Sequence, residues 1–307
     1  DPSNPNADQL TGGLDGPIVE AIDGAQLSVD AAIYSIGLYD VRQALIHAHR
    51  RGVKVRLVIE SDNMDRKDVQ ALQEAGVDIV GDRREGLMHN KFMVVDRREV
   101  WTGSMNFTDD GVYNDRNNLF RIQSVPVAQD YESEFNEMFV DDKFGPDLGT
   151  ATPNPRLAVH GTPLAVFFSP DDHVEAFLLD QLRGAKKSIN FLAYSFTSDP
   201  LAAVIRQQAA AGITVAGVMD EDQAKTNKGG EYDAFRTDGV NVRLDGEHGL
   251  MHNKVIVIDG ETVVTGSYNF TASAEKANDE NVLVVISTDI AAQYLQEFKR
   301  IQAAAQP

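Results

Sequence analysis

The feature that most constrains this chain is a six-residue motif that occurs twice without a change. Residues 86–91 read Gly-Leu-Met-His-Asn-Lys, and residues 249–254 repeat them. In both copies four apolar residues lead to an aspartate, and after six further residues a Gly-Ser-x-Asn tetrapeptide follows. Because the repeat preserves exposed polar residues as well as the apolar pattern, it predicts two halves of one fold and an active site that uses both motifs.

Each half has the same order of hydrophobic segments, which predicts an α/β fold. A strand is followed by a helix with an acidic first turn and a glycine after its last turn, and then by a second strand. Strand, helix and strand in this order favour a βαβ unit. The predicted strands are 27–34, 53–59, 89–95, 100–102 and 119–122, then 188–194, 213–219, 252–258, 262–265 and 282–286, with closing helices at 127–139 and 290–304.

A segment rich in proline and glycine divides the chain. We predict a disordered leader at residues 1–16, a first domain at 17–144, a linker at 145–163 and a second domain at 164–307. The leader is polar and lacks periodicity, as expected after removal of an export signal, so we predict a secreted or periplasmic protein. Three extra residues within 223–230 of the second half predict a mobile loop, which either borders the site or is a solvated connection without a role.

The composition excludes several classes of site. The 307 residues include no cysteine, which excludes disulfides, thiolate metal sites and a cysteine nucleophile. No apolar stretch approaches the roughly 18 to 20 residues that a membrane-spanning helix needs. The net charge of −19 repels polyanions, so an anionic substrate has to be bound by positive charge within the site itself.

The residue types of the two motifs suit a phosphodiester. On a strand, residues two apart share a face, so His89 projects beside Lys91, and His252 projects beside Lys254. The glycine of each Gly-Ser-x-Asn segment permits a tight turn that brings hydroxyl and amide donors towards an oxyanion. The predicted substrate-binding donors are Ser104, Asn106, Ser267 and Asn269.

These groups predict a two-step phosphoryl transfer. Two imidazoles, two ammonium groups and four neutral donors can stabilise the negative transition state. One histidine can attack phosphorus and form a covalent phosphohistidine, while the other protonates the leaving oxygen and later activates water. Metal binding is an alternative, but each histidine has lysine two residues later, where a ligand set needs Asp, Glu or another His. We therefore expect no metal and no cofactor.

The pattern H-x-K-x4-D-x6-G-S-x-N in both halves resembles that of the phospholipase D superfamily, and the repeat covers residues 27–301. Each half is similar to the small bacterial phospholipase D-type endonucleases, which build one site from two identical subunits. The resemblance implies two tandem phospholipase D-like α/β/α sandwich domains, with mixed β-sheets related by a pseudo-twofold axis. It also implies a monomer in which the two motifs face each other across one site.

The halves differ at a position where this family carries an acid. Residue 280 is glutamate, whereas the matching residue of the first half is Asn117. In the family an acid here commonly contacts the catalytic histidine of the opposite half and fixes its tautomer. The resemblance therefore implies that Glu280 orients His89, with His89 as nucleophile and His252 as general acid and base. The candidates for the missing acid are Asp115 and Asp109.

Other residues near the motifs have predicted structural roles. The aspartates that end the motif strands lie on the face opposite the histidine and lysine, so we expect them to support the structure. Aromatic residues that could contact lipid if they were exposed are expected in the core. The residues concerned are Asp96 and Asp259, and Phe167, Phe168, Trp101 and Tyr113.

The shared chemistry recognises the phosphate and leaves its substituents open. The negative charge and the scarcity of basic residues outside the motifs argue against a nuclease, whereas the likeness to endonuclease subunits argues for one. We predict metal-independent hydrolysis of a glycerophospholipid head group, with phosphatidyl transfer to another alcohol as a side reaction. Cleavage of DNA or RNA is the close alternative. A non-catalytic phosphate-binding module is a third, although duplication followed by loss of catalysis normally removes one His or Lys.

Overall fold

A computed structural model of the chain describes residues 10–146, 149, 151–246 and 249–306. Most of the predicted leader lies outside the described residues, and its last two positions belong to the first helix. The helices are α1 Asp15–Gly24, α2 Tyr39–Arg50, α3 Lys67–Glu74, α4 Val125–Phe139, α5 Val174–Gly184, α6 Asp199–Ala210, α7 Glu221–Thr226, α8 Tyr232–Thr237, α9 Ala272–Lys276 and α10 Thr288–Ala304.

The strands form two mixed sheets, one in each half. The strands are β1 Ser28–Ile33, β2 Lys54–Ile59, β3 Asp78–Gly81, β4 Lys91–Val95, β5 Glu99–Gly103, β6 Leu119–Gln123, β7 Arg156–Val159, β8 Thr162–Ser169, β9 Ser188–Ala193, β10 Thr214–Met219, β11 Asn241–Leu244, β12 Lys254–Ile258, β13 Thr262–Gly266 and β14 Glu280–Ile286. The first sheet has the order β3-β2-β1-β4-β5-β6 and the second β11-β10-β9-β12-β13-β14-β8-β7. The predicted α/β class with two mixed sheets is confirmed.

Helices cover both faces of the first sheet, which explains why its central strand lacks the alternation of a half-exposed strand. Every residue of β1 is buried, and its one charged residue, Asp30, is paired with Arg56 of β2 at 2.7 Å. Helices α1 and α2 pack on one face of this sheet and α4 packs on the other. In the second sheet α5 and α6 take the place of α1 and α2, and α10 takes the place of α4.

Helix α4 also joins the two halves. The ring of Tyr131 lies 4.9 Å from that of Phe92 on β4 and 5.2 Å from that of Phe168 on β8, measured between centroids. A single apolar cluster therefore includes side chains from both sheets. The aromatic residues that we considered as lipid contacts, Phe167, Phe168, Trp101 and Tyr113, are all buried, as core packing predicts.

Two predictions about connecting segments need correction. Strand β7 lies inside the predicted linker and pairs with β8, so part of that segment belongs to the second sheet. The density of proline and glycine around it hid a four-residue edge strand; Asp147, Leu148 and Thr150 of the segment lie outside the described residues. The loop predicted at 223–230 is partly helical, because α7 extends through Thr226 after Asp220 caps its first turn.

None of the helices in the described ranges is long and apolar enough to cross a membrane. Export from the cell stays a prediction.

Candidate active site

Each motif begins at a main-chain contact with the opposite half. Met88 forms a bridge with Asp279 of the second half, and the amide of His89 donates to the Asp279 carbonyl at 2.9 Å. On the other side the amide of Arg116 donates to the Leu250 carbonyl at 2.8 Å. Because the main chain is held in this way, strand β4 begins only at Lys91, and His89 precedes the strand in which we predicted it.

The structure brings Glu280 to His89. Nδ1 of the imidazole lies 2.8 Å from Oε2 of Glu280, and the carbonyl of Ser267 also accepts a hydrogen bond from the ring. We assign the ring hydrogen to Nδ1, which faces the Glu280 carboxyl, and this leaves Nε2 with its lone pair. The Nδ1 side of the first motif's histidine is therefore held by groups of the second half.

His252 has the same arrangement with a neutral partner. Its Nδ1 lies 2.9 Å from Oδ1 of Asn117 and 3.0 Å from the carbonyl of Ser104. Both partners accept, because the amide nitrogen of Asn117 is turned away to donate to the Gly111 carbonyl at 2.8 Å. Asp115, one candidate for the missing acid, instead binds the amide of Leu250 at 2.9 Å.

The second candidate for the missing acid, Asp109, lies in a different environment. Burial raises the pKa of its carboxyl, and the carboxylates of Asp110, Asp68 and Asp15 raise it further. The residue of the first half that contacts Nδ1 of His252 is thus Asn117. Its amide fixes the tautomer of the His252 ring without adding a charge.

The two motif lysines are almost fully buried. Nζ of Lys91 donates to the carbonyl of His89 at 2.8 Å, and Nζ of Lys254 donates to the carbonyl of His252 at 2.7 Å. Burial lowers the pKa of Lys91 to about 7, although Glu280 opposes the shift. Burial lowers the pKa of Lys254 well below its usual range, and the charge of Lys91 lowers it further. The Glu280 carboxylate acts on both lysines but only partly offsets the effect of burial on their charges.

The histidines and lysines of the two motifs interact electrostatically with one another. Burial lowers the pKa of both imidazoles well below the usual value, and each is lowered further by both lysines. His89 also lowers the pKa of His252. Burial raises the pKa of Glu280 to about 7, against the opposing charge of Lys91. A bound anion would stabilise the protonated histidines and lysines, so the site is prepared for negative charge.

The two motif serines do not have the role that we predicted for them. Ser104 and Ser267 are completely buried, and the hydroxyl of Ser104 donates to Asn117 Oδ1 at 2.8 Å. Ser267 correspondingly binds the carboxyl of Glu280. The prediction that these hydroxyls bind substrate is wrong, because the turn directs them behind the histidines, where they hold the groups that orient the imidazoles.

Two glycines make this turn possible. A side chain at Gly103 would place its Cβ 2.3 Å from the carbonyl oxygen of Asn118, and one at Gly266 would lie 2.1 Å from that of Asn281. No real Cβ approaches so closely, so only glycine fits. Beyond the turns Asn106 and Asn269 stay partly exposed, which leaves both as candidate donors to substrate.

Sequence reasoning missed a pair of amide contacts between the halves. Asn281 Nδ2 donates to Asn90 Oδ1 at 2.9 Å, and Asn118 Nδ2 donates to Asn253 Oδ1 at 2.8 Å. The signal was present in the sequence, because asparagine lies between histidine and lysine in both motifs. These contacts hold the residue that lies between the histidine and the lysine of each motif.

Sequence reasoning also missed a tyrosine that lies beside each motif histidine. The rings of Tyr34 and His89 meet edge to face with centroids 5.2 Å apart, and those of Tyr194 and His252 are 4.7 Å apart. Each motif lysine lies near the same ring, with Nζ 5.1 Å from the centroid in the first half and 4.8 Å in the second. Both tyrosines are half-buried and follow the central strands β1 and β9, 160 residues apart.

The two motif aspartates bind the main chain at the start of the central strands. Asp96 accepts hydrogen bonds from three consecutive amides, 26–28, at 2.7 to 3.1 Å. Asp259 does the same for amides 186–188 at 2.6 to 3.0 Å. Burial alone would raise both pKa values, but these hydrogen bonds outweigh it and lower them. Each carboxylate thus ties the motif strand to its neighbour.

The arrangement is suited to nucleophilic and acid–base chemistry at an anionic centre. Two imidazoles have their Nδ1 atoms engaged and two ammonium groups lie beside them, as phosphoryl transfer requires. Within the described ranges no cluster of three or more His, Cys, Asp or Glu residues is placed to hold a metal ion.

Comparison with known proteins identifies relatives of both halves. The family described as "Cardiolipin synthase, PLD-like domain" matches residues 18–139 and 178–302. A phospholipase D of Rickettsia bellii is 32% identical over 153 residues, which is 48% of this chain and 76% of that protein. A mitochondrial cardiolipin hydrolase of Chlamydomonas reinhardtii is 34% identical over 123 residues, 40% of this chain and 55% of that protein.

A solved structure extends the likeness of the fold to the whole chain. The crystal structure of a phosphatidylserine synthase from Haemophilus influenzae covers 98% of this chain and 85% of its own, with a TM-score of 0.75 and 16% identity. At this level of sequence identity the match is evidence only for the fold, which includes the arrangement of the two halves.

Proposed function

Because the chain belongs to the phospholipase D-like family of phosphodiesterases, we propose that it hydrolyses the head-group phosphodiester of a glycerophospholipid without a metal ion. The observation that carries the proposal is that each catalytic imidazole is oriented through Nδ1 by the opposite half, at 2.8 Å for His89 and 2.9 Å for His252. Such an arrangement leaves both Nε2 atoms for chemistry at one phosphate. The relatives named phospholipase D and cardiolipin hydrolase support a lipid substrate.

In the first step of the proposed reaction, His89 is the nucleophile. The lone pair of its Nε2 forms a bond to phosphorus, and the bond from phosphorus to the head-group oxygen breaks. His252, protonated in the presence of the anionic substrate, transfers the proton of Nε2 to the leaving oxygen, and the head group departs with a neutral hydroxyl. The Glu280 carboxyl stabilises the positive charge that develops on the His89 ring.

In the second step His252 acts as a base. It takes a proton from water, the water oxygen bonds to phosphorus, and the bond between phosphorus and Nε2 of His89 breaks. Phosphatidic acid leaves and the enzyme returns to its first state. Lys91 and Lys254 bind non-bridging oxygens in both steps, and Asn106 and Asn269 donate to the same oxygens. An alcohol in place of water gives phosphatidyl transfer.

The proposal is tested with phosphatidylcholine vesicles and, separately, with single- and double-stranded DNA, all in EDTA and with His89→Ala as the blank. Choline release without loss of DNA is the expected result, and ethanol in the mixture should yield phosphatidylethanol. DNA cleavage without choline release would make the protein a nuclease with the same chemistry. Activity that EDTA abolishes would contradict the metal-independent mechanism. Absence of turnover on bis-p-nitrophenyl phosphate would favour a non-catalytic phosphate-binding module.

A further inference from the structure

A tyrosine ring lies beside the ammonium of each motif lysine. Tyr34 follows β1 and Tyr194 follows β9, and each comes directly after the strand residue that pairs with the lysine of its half. Nζ of Lys91 lies 5.1 Å from the centroid of the Tyr34 ring, and Nζ of Lys254 lies 4.8 Å from that of Tyr194. At such distances an ammonium is attracted by the negative face of the ring. Each ring is thus placed to act on the charge of one lysine.

The main chain of each tyrosine is attached to the motif of its own half. The amide of Tyr34 donates to the carbonyl of Asn90, and the amide of Tyr194 donates to the carbonyl of Asn253, both at 3.0 Å. The carbonyl of Tyr34 also accepts from Nδ2 of Asn63 at 2.8 Å. Asn90 and Asn253 directly precede the motif lysines in the sequence. Each tyrosine is therefore bound to the residue next to the lysine that its ring faces.

Both phenols keep their proton at neutral pH. Burial raises the pKa of Tyr34, and the carboxylates of Glu60 and Asp62 raise it further. Burial, together with nearby carboxylates, raises the pKa of Tyr194 to about 12. Neither tyrosine is therefore a phenolate that could act as the counter-ion of a lysine. What each offers to the ammonium is the face of a neutral aromatic ring.

The other surroundings of the lysines compensate their charge only in part. Nζ of Lys91 and Nζ of Lys254 each donate to a main-chain carbonyl, at 2.8 and 2.7 Å. Burial is the largest effect on both, and it lowers the pKa of Lys91 to about 7. The other charged or titratable groups that interact with the two lysines are Glu280 of β14, Asp115 before β6, Asp220 after β10, and the two motif histidines. A ring face adds attraction for the ammonium without adding a group that titrates near pH 7.

We propose that Tyr34 and Tyr194 are positioning residues for the phosphate-binding lysines, and that each ring keeps the ammonium of its own half charged and in place before the phosphate binds. The inference rests on the proposed function, in which Lys91 and Lys254 bind the non-bridging oxygens. A lysine that is already charged binds the phosphate without first taking up a proton. The imidazole that meets the same ring does not benefit in this way, because burial keeps it neutral at pH 7.

The test measures the binding of inorganic sulfate to the full chain by isothermal titration calorimetry between pH 5.5 and pH 8.5. Tyr34→Leu should lower the pKa of Lys91 by about half to one unit, the effect of one ring face on a desolvated ammonium. Sulfate binding should weaken about three- to tenfold at pH 8 and stay within about twofold at pH 5.5, where the lysine is charged with or without the ring. Tyr34→Phe, which keeps the ring, should bind sulfate within about twofold of the wild type at every pH.

The matched control is the same substitution in a Lys91→Arg background. A guanidinium stays charged with or without the ring, so Tyr34→Leu should there change sulfate affinity at pH 8 by less than about twofold. The carboxyl of Glu280, whose pKa is about 7, titrates in the same range and is present in both backgrounds. The difference between the backgrounds therefore isolates the effect of the ring on the lysine. Thermal melting shows whether each variant is folded, and Tyr34→Met is a second aliphatic replacement measured in parallel.

Two results would overturn the inference. Equal weakening at pH 5.5 and pH 8 would show that the ring only packs against the motif, and a loss at pH 8 that persists in the Lys91→Arg background would show that it acts on another group. Sulfate carries no alcohol substituent, so either result leaves phospholipid hydrolysis standing. Choline release decides that proposal separately, and its absence would leave the effect of the ring on sulfate binding unchanged.

Discussion

The two histidines of this molecule have the same main-chain surroundings and different groups behind them. His89 has the carboxyl of Glu280 at 2.8 Å, and His252 has the amide of Asn117 at 2.9 Å. Each ring also donates a hydrogen bond to a serine carbonyl, that of Ser267 for His89 and that of Ser104 for His252. The contact with a serine carbonyl is equivalent in the two halves. The side chain next to Nδ1, Glu280 or Asn117, decides whether a charge lies beside the ring.

The surroundings of these two groups also differ. Glu280 is completely buried, and strand β8 pairs beside it with Ser169 opposite. Asn117 is only half-buried and borders a cavity of about 600 Å³ that runs along β6, the edge strand of the first sheet within the described residues. A buried carboxyl keeps a strong interaction with its imidazole because water does not screen it, so the more protected position carries the acid.

The largest expected effect distinguishes the two histidines from each other. His89→Asn and His252→Asn should each lower kcat on a phospholipid by roughly 10³-fold or more. With bis-p-nitrophenyl phosphate, whose leaving group needs no proton, His252→Asn should still release one equivalent of p-nitrophenol in a burst, because His89 can form the intermediate but no base activates water. A burst from His89→Asn, with none from His252→Asn, would reverse the assignment.

The next effect concerns the groups behind the histidines. Glu280→Gln should lower kcat about 100-fold with little change in KM, since the ring keeps its partner but loses the charge that stabilises it. Asn117→Ala should cost about tenfold or less, because the Ser104 carbonyl still holds Nδ1 of His252. The two losses of kcat are compared by steady-state kinetics, after thermal melting has shown that both variants are folded. Equal losses would mean that the two sides are functionally symmetric.

A third prediction uses pH to separate the lysines. The pKa of Lys91, which burial lowers to about 7, implies that the ammonium is present below pH 7 and is lost above it. Sulfate does not change charge in this range, so its inhibition constant should rise with pH above 7 by up to about tenfold per unit. Lys91→Arg should flatten this dependence, because guanidinium stays protonated.

Lys254→Arg is the comparison for this measurement. The pKa of Lys254 is lowered well below the usual range, first by burial and then by the charge of Lys91, whereas a guanidinium at this position stays protonated. Arginine at this position should strengthen sulfate binding at pH 8 and leave the dependence caused by Lys91 in place. Identical pH profiles for both variants would show that the two lysines titrate as one unit.

The smallest effect concerns the two motif aspartates. Asp96→Asn and Asp259→Asn should each lower the free energy of unfolding by about 1 to 3 kcal/mol at pH 7, through weaker hydrogen bonds to three amides. The pKa of each folded carboxyl is lowered, so its contribution is present above the unfolded value and is lost as pH falls through the folded one. Urea unfolding at pH 7 should separate variant from wild type, and at pH 2 the difference should disappear. A difference in the free energy of unfolding that persists at pH 2 would show that the substitutions act through packing.

Several parts of the fold could be predicted because local patterns encode them. The central strands β1 and β9 were recognisable from apolar runs, and the helices that follow them from their caps and terminal glycines. Strand β7 was hidden among prolines and glycines, and the short helix α7 among loop residues. Their stability comes from contacts with the second sheet and with a side-chain cap, which the local composition does not display.

The sequence by itself determined the repeat, the sheet class and the residue types of the reaction, since spacing and chemistry are properties of the chain. It also indicated that residue 280 differs between the halves. Only the tertiary structure decided that Ser104 and Ser267 lie behind the histidines, because the direction of a side chain after a tight turn depends on the main chain that it packs against. Folding likewise decided that Asp115 binds the amide of Leu250 and that Asn278 binds the amide of Leu87, each in the opposite half.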